Sequence, residues 1–161
     1  MSDLPPLGGD VRIRNAGEAD LPRVVRLIYD GTAPGVVPDE DPGPPLPDGY
    51  LEAFRDIAAS TDGDLYVAEL DGEVVGCFQF FAIPHLANRG RRRAQVESVH
   101  VAPEMRSRGI GEAMMRFAID EARRRGCFRL QLTSNKTRTD AHRFYRRLGF
   151  GQSHEGFKLD L

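Results

Sequence analysis

Residues 96–111 read Val96-Glu97-Ser98-Val99-His100-Val101-Ala102-Pro103-Glu104-Met105-Arg106-Ser107-Arg108-Gly109-Ile110-Gly111. The front half is strand-like, and Pro103 with two glycines marks a short turn. After Gly109, Ile110, Ala113, Met114, Phe117, Ala118 and Ala122 fall on one helical stripe. Arg123, Arg124 and Arg125 then suit the helix dipole in the last turn, and Gly126 supplies the stop. A strand–turn–helix of this kind aims backbone N–H groups at an anion, and Arg106 and Arg108 add full positive charge. Two common phosphate motifs do not fit. A dinucleotide fingerprint needs a small residue at 114 and an acid ending the next strand, where the chain has Met114 and Leu132-Thr133-Ser134. A P-loop needs Gly-Lys-Ser/Thr, which is absent. On these residues alone, an anion cradle and a plain glycine-started helix both remain.

Downstream, 128–133 reads as another strand. Thr139 or Asp140 can cap a short helix with Ala141, Phe144, Tyr145 and Leu148 on one face, closed by Gly149. Phe150–Leu161 reads as extended, broken near Gly156. Upstream, 11–14 alternate as a first strand; Leu21, Val24, Val25 and Ile28 have helical spacing, and Pro22, tolerable only in a first turn, starts that helix near Ala19 or Asp20. Gly31–Gly49 holds six prolines and four glycines, a loop long enough to suggest function. Asp48 can cap a second helix with Leu51, Phe54, Ile57 and Ala58 inward. Residues 64–70 and 73–83 form a hairpin across Asp71-Gly72, and Gly76 within it marks a bulge or a close backbone approach. The order β-α-α-β-β-β-α-β-α-β predicts an α/β (α+β) fold: a mixed, mostly antiparallel twisted sheet with helices on both faces.

The 161 residues suit one domain over 11–161 behind a flexible segment, 1–10. That Pro/Gly-rich start lacks the basic and apolar regions of a secretory signal, and no apolar run approaches the ~20 residues of a membrane span. A cytoplasmic protein without membrane contact is expected. Cys77 and Cys127 have neither disulfide nor metal spacing and read as reduced, buried small hydrophobes. No histidine pair has ligand spacing, so no metal is expected. With net charge −2 there is no global pull toward nucleic acid, and the Arg89, Arg91, Arg92, Arg93 cluster lacks interleaved aromatics.

Arg106-Ser107-Arg108-Gly109-Ile110-Gly111 fits a Q/R-x-x-G-x-G/A pattern. Ala141-His142-Arg143-Phe144-Tyr145-Arg146-Arg147-Leu148-Gly149-Phe150 fits A-x-x-F-Y-x-x-x-G-F. In order and spacing the two segments resemble the GNAT-type N-acetyltransferases, over roughly residues 11 to 161. The resemblance implies acetyl-CoA as co-substrate. Its pyrophosphate would lie on the turn and helix start formed by Arg106, Ser107, Arg108, Gly109, Ile110, Gly111 and Glu112. Its pantetheine arm would pair with Val99, His100 and Val101, between strands that splay apart. The family motif carries an asparagine where this chain has Arg138, and Asn135 and His142 stand in as further cofactor contacts.

The chemistry needs a group to take a proton from the amine and one to return a proton to the leaving thiolate. Glu97 is the candidate base. A carboxylate among Val96, Val99 and Val101 is costly without a partner, and the position resembles that of the family's glutamate. An arginine of the 89–93 cluster could instead pair with it. Tyr145 resembles the family's acid. His100 falls opposite Glu97 if the strand is regular, and on the same face if it is bulged. Asp39, Glu40 and Asp41 would suit a cationic acceptor, whereas Arg89–Arg93 would suit an acidic or phosphonate-bearing one or the cofactor's own phosphate. The function expected is acetyl transfer to a primary amine of a small molecule. A protein N-terminus or lysine as acceptor, and a non-catalytic acyl-CoA-sensing module, are the alternatives. Exposed sheet edges leave room for a homodimer.

Overall fold

The computed structural model describes residues 10–161. Residues 1–9, most of the segment expected to be flexible, lie outside the described residues. The chain forms β1 (Arg12–Asn15), α1 (Leu21–Asp30), α2 (Asp48–Ala59), β2 (Gly63–Leu70), β3 (Glu73–Ile83), a one-turn α3 (Ala87–Gly90), β4 (Arg93–Val101), α4 (Ile110–Arg124), β5 (Leu130–Leu132) and α5 (Thr139–Arg147). The sheet order is β1-β2-β3-β4-β5, antiparallel through β4, with β5 parallel to β4. The mixed, mostly antiparallel sheet expected from the hydrophobic pattern is therefore the observed one.

Each face of the sheet has its own core. Phe78, Phe80, Ala94 and Val96 point to the face covered by α4, where Ile110, Met114, Met115 and Ala118 are buried. Val67 and Cys77 point to the opposite face and meet Val24 and Leu27 of α1. Gly76 explains the tight fit on the first face: a Cβ there would come within 2.7 Å of Met114 Sδ. The Asp71-Gly72 turn has both residues at positive φ, the arrangement a two-residue hairpin turn requires. Both cysteines are free, Cys77 fully buried and Cys127 partly so. Among the described residues, no helix is long and apolar enough to cross a membrane.

Four expectations need correction: Asp48 does not cap α2, nor Thr139 or Asp140 α5, because both helices start one residue earlier, behind Pro47 and Arg138, without a side-chain cap bond. Helix α1 is preceded by a 3₁₀ turn, Glu18–Asp20, so regular helix begins only at Leu21, with Pro22 in its first turn. The sixth strand, expected over 150–161, does not form. Phe150 packs on the core, but 151–161 pair with no strand and lie exposed. Alternation describes how a strand would present its faces and says nothing about which edge receives it.

Candidate active site

Strand β4 organises the site. Its rungs with β5 are Ala94–Leu130, Gln95–Gln131 and Val96–Leu132. There β5 ends, while β4 runs on to Val101 beside β3 alone. The two parallel strands thus part at Glu97.

Before that point alternation is strict. Ala94 and Val96 enter the α4 core, so Arg93, Gln95 and Glu97 share the other face. Gln131 Nε2 donates to Gln95 Oε1 at 2.6 Å, and Gln95 Nε2 donates to Glu97 Oε1 at 2.5 Å. Glu97 is therefore held by an amide chain and not by an arginine of the 89–93 cluster. Those arginines divide their work. Arg91 stacks on Phe128, and Arg92 pairs with Asp62. Arg93 lies in the polar row, with its buried Nε lacking a partner among the described residues.

A bulge follows. Glu97 lies opposite Gln79 and His100 opposite Cys77, so three steps along β4 match two along β3. Ser98 absorbs the extra residue at φ 50°. His100 consequently shares Glu97's face, the second of the two arrangements open from sequence, while Val99 and Val101 pack toward the α4 core. His100 presses against Gly31 at the end of α1, where a Cβ would come within 1.9 Å of its Nδ1. That Nδ1 is buried and unpartnered among the described residues. Burial first, and then the charges of Arg138 and Arg106, push the imidazole down to about 4, so it is neutral at physiological pH.

The turn after β4 has the form expected. Ser107 and Gly109 are left-handed at φ 61° and 86°, and α4 starts at Ile110, whose side chain is buried. The first helical amide bond is Ala113 N–H to Gly109 C=O. The amides of Ser107, Arg108, Gly109, Ile110, Gly111 and Glu112 donate to no acceptor among the described residues. A Cβ at Gly111 would meet Phe144 Cζ at 3.5 Å, an ordinary van der Waals contact, which shows how near α5 lies to the turn. Arg106 Nε donates to the Val101 carbonyl at 3.3 Å, Arg108 lies against Met105, and the Glu112 carboxylate pairs with Arg116.

Tyr145 stands on α5 between Phe144 and Phe150, at ring-centroid distances of 5.1 and 5.8 Å. Burial raises its hydroxyl above the usual phenol range; Arg138 opposes the rise and Glu97 adds to it. The same Arg138 acts on His100, so its charge reaches both buried groups, and that of Glu97, at the point where β4 leaves β5, reaches Tyr145. Asn135 is less available than expected. Its Oδ1 accepts from the Thr137 N–H and hydroxyl, and its carbonyl lies 3.0 Å from His142 Nε2. Asn135 and His142 thus brace the turn before α5. Sequence reading overlooked Gln95, which the polar–apolar alternation of 93–97 signalled, and Gln131, which joins it only through the β4–β5 register. It noted Arg138 only as a departure from the motif. Among the described residues, no three His, Cys, Asp or Glu side chains gather as a metal site would require.

Comparisons with known proteins bear on the family and the fold. Residues 35–150 match the family described as Acetyltransferase (GNAT) family. The chain is 36% identical over 114 residues to the aminoalkylphosphonate N-acetyltransferase of Salmonella typhimurium, covering 68% of this chain and 73% of that protein. It is 37% identical over 133 residues to the streptothricin acetyltransferase of Streptomyces lavendulae, covering 78% of this chain and 66% of that one. Among solved structures, one described as a transcriptional regulator from Bacillus halodurans is 39% identical with a TM-score of 0.90, covering 94% of this chain and all of that one.

Proposed function

The chain belongs to the GNAT family of acetyltransferases and is an acetyl-CoA-dependent acyltransferase; from that premise we propose that it acetylates the primary amine of a small molecule, with Glu97 as base and Tyr145 as acid. The observation that carries this reading is that β4 and β5 part at Glu97, whose charge reaches the buried hydroxyl of Tyr145. The run of free amides from Ser107 to Glu112, at a helix start flanked by Arg106 and Arg108, fits a pyrophosphate. The β4 main chain at Val99, His100 and Val101, no longer beside β5, fits an amide-bearing arm added as a strand.

In this reading Glu97 takes the proton from the amine as nitrogen bonds to the acetyl carbonyl carbon. Gln95 fixes the carboxylate's orientation, with Gln131 fixing Gln95. As the carbon–sulfur bond breaks, Tyr145 gives its hydroxyl proton to the thiolate; a phenol raised by burial is protonated at neutral pH and so ready to donate. Much of the rate comes from holding amine and thioester in contact. Arg93 adds a preference in acceptor. Its guanidinium has no partner among the described residues and lies two alternations from Glu97, so it supports an acceptor bearing an anionic group. The phosphonate in the name of the Salmonella relative is consistent with that choice. The loop carboxylates Asp39, Glu40 and Asp41 would suit a cationic acceptor instead; of these, Asp41 accepts a hydrogen bond from the Gly43 N–H of its own loop.

One assay tests these assignments: thiol release from acetyl-CoA with neutral, cationic and phosphonate-bearing amines. Glu97→Gln and Tyr145→Phe should each lower kcat at least about 10²-fold. Arg93→Gln should raise KM for the phosphonate amines alone. Unchanged kcat in either of the first two variants would refute that residue's role. The similarity to a protein described as a transcriptional regulator favours one second reading, a cofactor-binding sensor; tight acetyl-CoA binding with no turnover across the panel would select it.

A further inference from the structure

The polar face of the β4–β5 ladder continues beyond its rungs, in the direction away from Val101. Arg129 precedes Leu130, which packs on the α4 core, so it falls on the side of Gln131. Its carbonyl accepts from the Ala94 N–H at 2.8 Å, which stands it beside Arg93. Arg93 and Arg129 therefore head two polar rows, Arg93-Gln95-Glu97 on β4 and Arg129-Gln131 on β5.

A third arginine reaches the same place through strained backbone. Within α3, Asn88, Arg89 and Gly90 are all left-handed, at φ 57°, 65° and 70°, a run that residues with side chains resist. The Asn88 carbonyl accepts from Arg91 Nε at 3.0 Å, and the Arg91 guanidinium lies 5.1 Å from the Phe128 ring centre. Arg129 lies over the same ring at 5.3 Å. Among the described residues no carboxylate pairs with Arg91, Arg93 or Arg129, whereas the neighbouring Arg92 pairs with Asp62. Like charges on adjacent strands repel, and a dianion between them turns that repulsion into attraction. The amides of Ser107–Glu112 stand at the other end of β4. Nine residues of strand separate Arg93 from Val101, about 26 Å at the rise of a strand. A diphosphate held there leaves the arginines free for a second anion.

We propose that Arg91, Arg93 and Arg129 form an anion subsite for the acceptor, which is a long amine with its nitrogen at Glu97 and a phosphate-type group at the arginines. Only the nitrogen's place rests on the functional reading above; the cluster and its separation from Glu97 do not. Arg93 and Glu97 lie at the two ends of one polar row, roughly 13 Å apart between Cα atoms. An extended chain advances about 1.2 Å per bond, so two carbons fall far short and about six to ten suffice once the arginine side chains lean along the row. The spacer passes over Gln95 and Gln131.

The test compares ω-aminoalkyl phosphonates of two to ten carbons with ω-amino alcohols and ω-amino carboxylates of the same lengths. Thiol release from acetyl-CoA and calorimetric affinity for the CoA-bound enzyme are both read. For the phosphonates both should peak at about six to ten carbons, at least about tenfold above the two-carbon member, with no such peak for the alcohols. Arg129→Gln and Arg91→Gln should each cut the phosphonate-to-alcohol ratio at the best length about tenfold, and Arg129→Lys should keep most of it. An optimum at two carbons, an equal gain for the alcohols, or a ratio indifferent to both glutamine substitutions overturns the proposal. Carboxylates that match the phosphonates overturn the choice of a dianion. Long phosphonates that bind with this preference but release no thiol uphold the subsite and refute acetyl transfer instead.

Discussion

Gly31 and His100 cannot be changed independently. The ring of His100 occupies the space a Cβ would need at Gly31, whose φ of −95° any residue could adopt. The glycine is required by its neighbour and not by its backbone. Gly31→Ala should therefore cost about 1–3 kcal/mol by overpacking, while His100→Ala in the same chain should recover much of that loss. A double-mutant cycle on chemical denaturation checks the pair; additive losses would show that the contact is not what selects glycine. Arg138 teaches a related lesson. A comparison of motifs reveals it only as a missing asparagine, yet its charge reaches both His100 and Tyr145. What a substituted residue contributes becomes visible only when the residues around it have positions.

At the scale of elements, the bulge in β4 decides which residues meet. Ser98 holds a left-handed conformation that β-branched side chains resist, at about 1–2 kcal/mol. Ser98→Gly should keep stability close to that of the parent. Ser98→Val should lower the melting temperature and, if the strand regularises, turn His100 away from Glu97. Equal melting temperatures for the two variants would remove the bulge's claim to be the critical feature. The hairpin, both glycine-ended helices and the parallel crossover through α4 were legible because each depends on local chemistry: Asp71-Gly72, Gly126, Gly149 and apolar periodicity. The bulge was legible only as an option, since a serine carries no mark of left-handed backbone. The polar row was there to be read in Arg93-Ala94-Gln95-Val96-Glu97, but the register that joins it to Gln131 depends on a distant strand. The missing final strand has the same cause, because its pattern is genuine and its partner is nonlocal.

For the whole molecule, acid should be the weakness. Glu121, buried on α4, accepts hydrogen bonds from Arg124 and Arg125, and Arg125 also pairs with Asp64 of β2 while stacking on Phe80. The arginines beside it, led by Arg124, hold the Glu121 carboxyl down at about 2. A depressed carboxylate stabilises the fold above its unfolded pKa, so this contribution fades as pH falls from about 4.5 toward about 2. His100, pushed down to about 4, acts earlier. Between about 6.5 and 4 the unfolded chain binds the extra proton, so stability falls with pH there too. Melting curves from pH 7 to 3 should show both losses, with Glu121→Gln costing about 1.5–3 kcal/mol at neutral pH and flattening the lower one. A flat profile for the parent would contradict both. The parting of β4 from β5 has a different consequence, one for descent. On the reading proposed above, a guest held along β4 through peptide groups would be indifferent to the side chains of Val99 and Val101, so those can drift while Glu97, the bulge and the alternation survive. On that reading, selection among acceptors would fall to Arg93 and the α1–α2 side, where changes need not disturb that hold. One strand thus separates what a lineage must preserve from what it is free to vary.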